Sequence, residues 1–261
     1  MTSGPTVARP LRKVAFASFI GTAIEFYDFY IYGTAAALVF PHVFFPNLDP
    51  TMATISSLGT FAVAFASRPI GAAVFGHFGD RLGRKKTLIA TLLIMGTSTV
   101  GVGLVPSAAS IGMAAPAILL ALRLAQGFAV GGEWAGSALL SAEYAPTEKR
   151  GAYGMFTQLG AGAGLAVSNL VFLLATVTIS ESSPVFLTWG WRIPFLFSAV
   201  LLIVALYVRL SIDETPVFAE EVRRGAVPRA PLGELLRNQG AQVLLGAGAM
   251  VGIFTMSFLG G

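Results

Sequence analysis

Gly76-His77-Phe78-Gly79-Asp80-Arg81-Leu82-Gly83-Arg84-Lys85-Lys86 is the densest run of charge in the chain, and apolar residues extend away from it on both sides. Two long hydrophobic segments therefore meet at a short, basic, glycine-punctuated loop. That arrangement predicts a tight turn between two membrane-spanning helices, held on the cytoplasmic side by its positive charge.

Composition agrees with a lipid-facing surface. The 261 residues are 55% hydrophobic and only 11% charged, with a mean hydropathy of +0.75. A soluble domain carries about 25% charged residues, so the solvent for most of this chain is lipid. The net charge of +4 does not point to nucleic acid, because the basic residues sit in junctions between apolar stretches and form no basic face. With no cysteine, disulfides, thiolate metal sites and cysteine nucleophiles are excluded. His42 and His77 lie far apart, so neither a metal site nor a cofactor is expected. No nucleophile–base pair suggests an enzyme. The first apolar run, 14–40, is too long for a signal core and contains Glu25 and Asp28, so it reads as a retained transmembrane helix.

The chain divides into a polar arm at 1–13, a six-helix domain at 14–210, a charged inter-domain loop at 211–240 and a further apolar run at 241–261. Within the domain the spans fall at 14–40, 51–78, 87–106, 115–143, 151–178 and 190–209, each near or above the roughly 20 residues that cross a hydrocarbon core. The fold class is therefore all-α membrane protein. The junctions 41–50, 106–114 and 179–190 hold no basic residue, and 14 of the 17 lysines and arginines fall on the other side. The N-terminus is expected in the cytoplasm. A short surface helix is expected at 217–224. The run at 241–261 ends without a polar tail and reads as the truncated start of a seventh helix.

An ionisable residue inside a span costs a few kcal/mol and usually marks function or a specific pair. The spans hold Glu25, Asp28, Arg68, Arg123 and Glu133. The third has only hydroxyls and the sixth no charge before Arg209 except Arg192 at its outer end, so four helices need a polar interior and two can face lipid. Glu25, Asp28 and Tyr32 share one helix face. Arg123, Gln126 and Trp134 share a face of the fourth span with Glu133 beside it, and Gln158 and Asn169 share one of the fifth. Depth along the spans places Arg68 level with Glu133, where they can pair, and leaves Arg123 facing Asp28 or an anionic substrate. Three acids against two bases leave one carboxylate for water or a proton, a proton-coupling device. The blander reading is that all five groups lock helices together. Gly160-Ala161-Gly162-Ala163-Gly164 is read as helix packing, not a nucleotide loop.

Gly76-x-x-x-Asp80-Arg81-x-Gly83-Arg84-Lys85-Lys86 resembles the loop signature of the major facilitator superfamily, and Arg123-x-x-Gln126-Gly127 resembles its second motif. Arg68-Pro69-Ile70-Gly71, Gly131-Gly132-Glu133-Trp134, Glu143-Tyr144-Ala145-Pro146 with Arg150-Gly151, and Glu214-Thr215-Pro216-Val217-Phe218 resemble its metabolite:H+ symporter branch, which includes permeases for α-ketoglutarate, citrate, shikimate and proline/betaine. The resemblance covers about 9–260. It implies a twelve-helix carrier of two six-helix halves working by alternating access. This chain would supply the N-terminal half and the start of a seventh helix, and a C-terminal six-helix half is expected as partner. The resemblance also implies that Asp80 caps a helix of the other half, in a conformational gate with Gly76, Arg81, Gly83, Arg84, Glu143 and Arg150. No proline occurs between Gly151 and Ser183, so the antiporter-type glycine-proline signature is absent, which favours uptake.

The resulting expectation is a multi-pass bacterial inner-membrane protein for proton symport of a small organic anion or betaine-like solute. Asp28, Glu25 and Glu133 are the proton-coupling candidates. Arg123, Tyr32, Gln126, Trp134, Gln158 and Asn169 are the substrate candidates, with Arg123 on a carboxylate. The alternatives are an efflux antiporter of the same superfamily and a non-transporting membrane fragment.

Overall fold

The computed structural model describes residues 8–145, 150–180, 183, 185–214, 216–224, 233 and 237–249. The described residues are helical almost throughout: α1 (Ala8–Leu38), α2 (Phe40–Phe44), α3 (Pro50–Leu82), α4 (Arg84–Leu104), α5 (Ala108–Ile111), α6 (Ala114–Tyr144), α7 (Arg150–Ile179), a π-helical turn (Phe186–Gly190), α8 (Arg192–Leu210) and α9 (Pro216–Arg224). Residues 237–249 are helical as well. Among the described residues six helices, α1, α3, α4, α6, α7 and α8, are long and apolar enough to cross a membrane. The surface helix expected at 217–224 is present as α9. The expected continuation at 250–261 lies outside the described residues, as do residues 1–7.

Backbone polar groups in lipid must be satisfied within the segment, so long apolar runs settle as helices. Their ends are set locally. Asp49 accepts hydrogen bonds from the Thr51 and Met52 amides at 3.1 and 3.2 Å and caps α3, with Pro50 in its first position.

The pairs α3–α6 and α1–α7 form the most extensive contacts, α4 packs on α6 and α8, and α1 also touches α3, α6 and α8. Lipid gives little drive for helices to associate, so close backbone approach through small residues does this work. A methyl group on Gly127 would overlap the Ala64 carbonyl, and one on Gly131 would overlap that of Arg68. Gly160 and Gly164 of α7 abut the carbonyls of Phe19 and Ala23 on α1 in the same way, which agrees with the packing role read from that glycine run.

At the end away from Gly83, aromatic rings seal the bundle. Phe40, Phe44, Trp191 and Phe195 meet edge-on or stacked at 5.1–6.0 Å, all fully buried.

At the opposite end the structure corrects the loop reading of Gly76–Lys86. α3 continues through Leu82 and α4 starts at Arg84, so the turn is one residue, Gly83, at φ 104°. That backbone conformation suits only glycine. Glu214, arriving after α8, accepts from the Lys85 amide at 3.1 and 3.3 Å and caps the start of α4. The Lys85 ammonium donates to the Leu210 carbonyl at 3.0 Å, tying the same segment to the turn.

Candidate functional site

Charged and hydroxyl side chains inside the bundle fall into two layers, about one helical turn apart along α1. The layer further from Gly83 is built on Asp28. Its two carboxylate oxygens accept from Thr99 of α4 at 2.7 Å and from Ser198 of α8 at 3.2 Å. Gln126 of α6 donates to the Thr99 hydroxyl at 2.9 Å and accepts from Arg123 Nη1. The Arg123 guanidinium lies over the Tyr32 ring, 3.5 Å from its centroid, with Phe61 at 5.4 Å. Thr60 donates to the Ser57 carbonyl at 2.6 Å, so the Tyr32 hydroxyl is the donor in its 2.6 Å bond to Thr60. Asp28, Tyr32, Arg123 and Gln126 are all buried. The faces they share on α1 and α6 set Asp28 and Tyr32 beside Arg123 and Gln126, while Glu25, read on the same face of α1, falls in the other layer. Arg123 reaches Asp28 through Gln126 and Thr99, with its guanidinium enclosed in the conformation described.

The second layer holds Glu25, Glu133, Arg68 and Arg209. Glu133 accepts from Arg209 Nη2 at 2.5 Å and from the Thr91 hydroxyl at 2.8 Å. The expected Arg68–Glu133 pair is therefore corrected: Glu133 is held by Arg209, and Arg68 forms no direct ion pair among the described residues. Arg68 instead lies 4.4 Å from the Phe65 ring centroid and acts on Glu25 through space. Gly21 makes room for the ion pair, since a Cβ there would stand 2.6 Å from Arg209 Nη2 and 2.8 Å from Glu133 Oε1.

Two further expectations change. α4 and α8 do not simply face lipid: Thr91, Thr99, Ser198 and Arg209 bring polar groups into the interior. With Arg209 counted, Glu25, Asp28 and Glu133 stand against Arg68, Arg123 and Arg209, so among the described residues no carboxylate is left over by charge alone. Gln158 and Asn169 lie apart from both layers. They occupy an exposed stripe of α7, while Thr157, Gly160, Gly164 and Ser168 form its buried side.

In the basic turn, Asp80 pairs with Arg84 at 2.8 Å, one helical turn away across Gly83. Gly76 lies in α3 with open space around its Cα, and Arg81 is exposed in the last turn. The side chains of Trp134, Glu143 and Arg150 lie outside the described part of the structure.

Residues 13–241 match the family model described as "Sugar (and other) transporter". The chain belongs to that family, within the major facilitator superfamily. Among curated relatives it is 53% identical over 247 residues to the inner membrane metabolite transport protein YhjE of Escherichia coli (strain K12), covering 95% of this chain and 56% of that protein. It is 47% identical to the shikimate transporter of the same organism, covering 94% and 56%, and 44% identical to the proline/betaine transporter of Salmonella typhimurium (strain LT2), covering 81% and 42%. The chain thus spans about half the length of these relatives. Among solved structures, the inward-open xylose transporter XylE from E. coli superposes with a TM-score of 0.68 at 19% identity, over 91% of this chain and 54% of that one. A crystal structure of a D-xylose–proton symporter gives 0.67 at 21% identity, over 93% and 56%. At that identity the likeness establishes the fold: a six-helix bundle of this transporter family, whose named relatives are transporters and not enzymes.

Proposed function

We propose that the six-helix bundle works as one half of a secondary active carrier, bringing a small organic acid or zwitterionic metabolite across the bacterial inner membrane together with protons. The N-terminus and the Gly83 turn face the cytoplasm, where their basic residues are retained. Asp80 and Arg84 at that turn, with Gly76, Arg81, Gly83, Glu143 and Arg150, form the gate between states. Transport proceeds by alternating access around the bundle's polar interior, against a second six-helix half.

The observation that carries this reading is the pair of charged layers enclosed by helices of membrane-spanning length. Such groups are costly in lipid and are retained where an ion or a polar solute passes. Asp28, Glu25 and Glu133 are the carboxyls available for coupling. In this reading Arg123, enclosed by Tyr32 and Gln126, serves the Asp28 network and meets substrate when that enclosure opens, with Gln158 and Asn169 on the α7 side. The arginines and the shikimate and proline/betaine relatives support this substrate class.

Expressed from its complete reading frame and reconstituted in sealed vesicles, the carrier is expected to accumulate labelled shikimate or glycine betaine when the outside is acid, and to lose that accumulation with a protonophore. Accumulation that survives the protonophore refutes proton symport. Movement only in the opposite direction makes the protein an antiporter for efflux, and failure to move either probe refutes the substrate class.

A further inference from the structure

Among the described residues three carboxyl side chains are buried in the bundle, and each meets a different environment. Asp28 accepts a hydrogen bond on each oxygen, from Thr99 and Ser198. Glu133 also accepts on each oxygen, from Arg209 and Thr91. Both therefore have a donor on each oxygen. Glu25 is 7% exposed, and its buried Oε2 has no hydrogen-bond partner. An ionised carboxylate can only accept, so a buried oxygen without a donor is a poor place for a fixed charge.

The groups facing Glu25 complete the picture. α3 presents Arg68, α6 presents Glu133, and Asp28 lies one turn along α1. Behind Glu133, α8 presents Arg209 and α4 presents Thr91, both already engaged. α7, which packs along α1, carries no charged residue from Gly151 to Ile179. Arg68 is therefore the cation that answers Glu25, and it does so without a direct ion pair. Its Nε is buried and unpartnered, as are Arg123 Nε and Arg209 Nε and Nη1, but Arg68 alone of the three makes no side-chain hydrogen bond or ion pair among the described residues. Its guanidinium is half-buried above Phe65, itself 39% exposed, with the Phe29 ring 6.1 Å from that of Phe65.

We propose that Glu25 carries the coupled proton, and that its protonation frees Arg68 to hold the carboxylate of the substrate. This rests on the proton-symport reading above. With Glu25 ionised, the three buried acids among the described residues balance the buried Arg123 and Arg209 and the half-buried Arg68. A proton on Glu25 leaves one net positive charge, and Arg68 is the arginine in position to express it: Arg209 is bonded to Glu133, and Arg123 is enclosed by Tyr32 and Gln126. A substrate carboxylate arriving on Arg68 restores neutrality, while Phe65 and Phe29 offer apolar faces to the rest of the molecule. Proton and anion enter as a neutral pair, and neither is well accommodated without the other.

The test uses reconstituted full-length carrier with labelled shikimate as probe. For one proton per shikimate anion, wild type accumulates the probe about tenfold per unit of pH difference across the membrane. In Glu25→Gln, which mimics the protonated side chain, net accumulation is expected to vanish, while exchange of internal for external shikimate continues without its pH dependence. Arg68→Gln is expected to raise the half-saturating shikimate concentration more than about tenfold. If wild type accumulates no probe under the proton gradient, the symport reading fails and takes this inference with it. If wild type does accumulate it and Glu25→Gln matches it, or exchange keeps the wild-type pH profile, only the inference fails. An unchanged half-saturation in Arg68→Gln overturns the role of Arg68. Should Glu25→Gln not fold, the infrared band of the protonated carboxyl that grows on acidification gives a second readout. That band is expected to shift in Glu25→Asp. One that is untouched in Glu25→Asp and absent in Asp28→Asn moves the proton to Asp28 and overturns the proposal.

Discussion

Removing Arg209 should be among the most damaging single changes to the bundle. Its side chain is 3% exposed and that of Glu133 1%, so the 2.5 Å ion pair between them is closed to water. Charge centres about 4 Å apart, at an effective permittivity of about 20, attract by about 4 kcal/mol. Breaking a buried pair by deleting one partner costs about 3–5 kcal/mol, because the other charge stays behind uncompensated. Arg209→Met leaves Glu133 with only the Thr91 hydroxyl. Gly21 packs against both charged groups so closely that water has little room to replace the guanidinium. Arg209→Met should therefore destabilise by about 3–5 kcal/mol. In Glu133→Gln/Arg209→Met no charge is stranded, and stability should return to within about 1 kcal/mol of wild type. The check is a double-mutant cycle on the purified bundle, by reversible unfolding in mixed micelles or by steric trapping in bicelles. A loss below about 1 kcal/mol for the single variant, or costs that simply add in the double variant, refutes the reasoning.

Three other outcomes can be measured alongside. Gly83→Ala forces an L-residue to φ 104° and drives its Cβ into the Glu214 carboxylate; strain alone should cost about 1–3 kcal/mol, seen as a lower unfolding midpoint, and a wild-type midpoint would rule out the one-residue turn. Gly71→Leu must push α3 off the Phe128 carbonyl of α6, and a loss of at least about 1–3 kcal/mol is expected; Gly162→Ala, with open space around it, should be neutral or gain up to about 1 kcal/mol. Tyr32→Phe keeps the ring under Arg123 and loses the bond to Thr60, for about 1 kcal/mol; Tyr32→Leu also loses the cation–π contact and should cost more, and equal losses would show that the ring contact contributes nothing.

The six spans were legible because long apolar runs leave the backbone one solution in lipid. The layer around Asp28 was legible in part, because Asp28 and Tyr32 on α1, and Arg123 and Gln126 on α6, are spaced to share a face. The turn was less so. Charge and glycine content marked Gly76–Lys86 as a loop, yet a helix interior tolerates lysine and arginine well. Only Gly83 is needed to change direction, and the reason lies 131 positions later, in the Glu214 carboxylate that takes over the cap of α4.

Arg209 was misread for a geometric reason. At the end of the sixth span, on the side where most of the basic residues fall, it counted as a topological anchor. Side chains on an α-helix lean toward its N-terminus, so an arginine in the last turn of α8 points back into the bundle, and Arg209 is long enough to reach Glu133. The hydroxyls of α4 carried a signal that a count of charges passes over. Thr87, Thr91, Ser98 and Thr99 fall on one helical face with the buried Leu88, Leu92 and Met95, a spacing expected of a helix turned inward. Counting Arg209 converts three acids against two bases into three against three. A surplus carboxylate would have been the proton site by arithmetic alone. In a balanced interior the proton site must be found by asking which carboxyl lacks donors, and that question singles out Glu25.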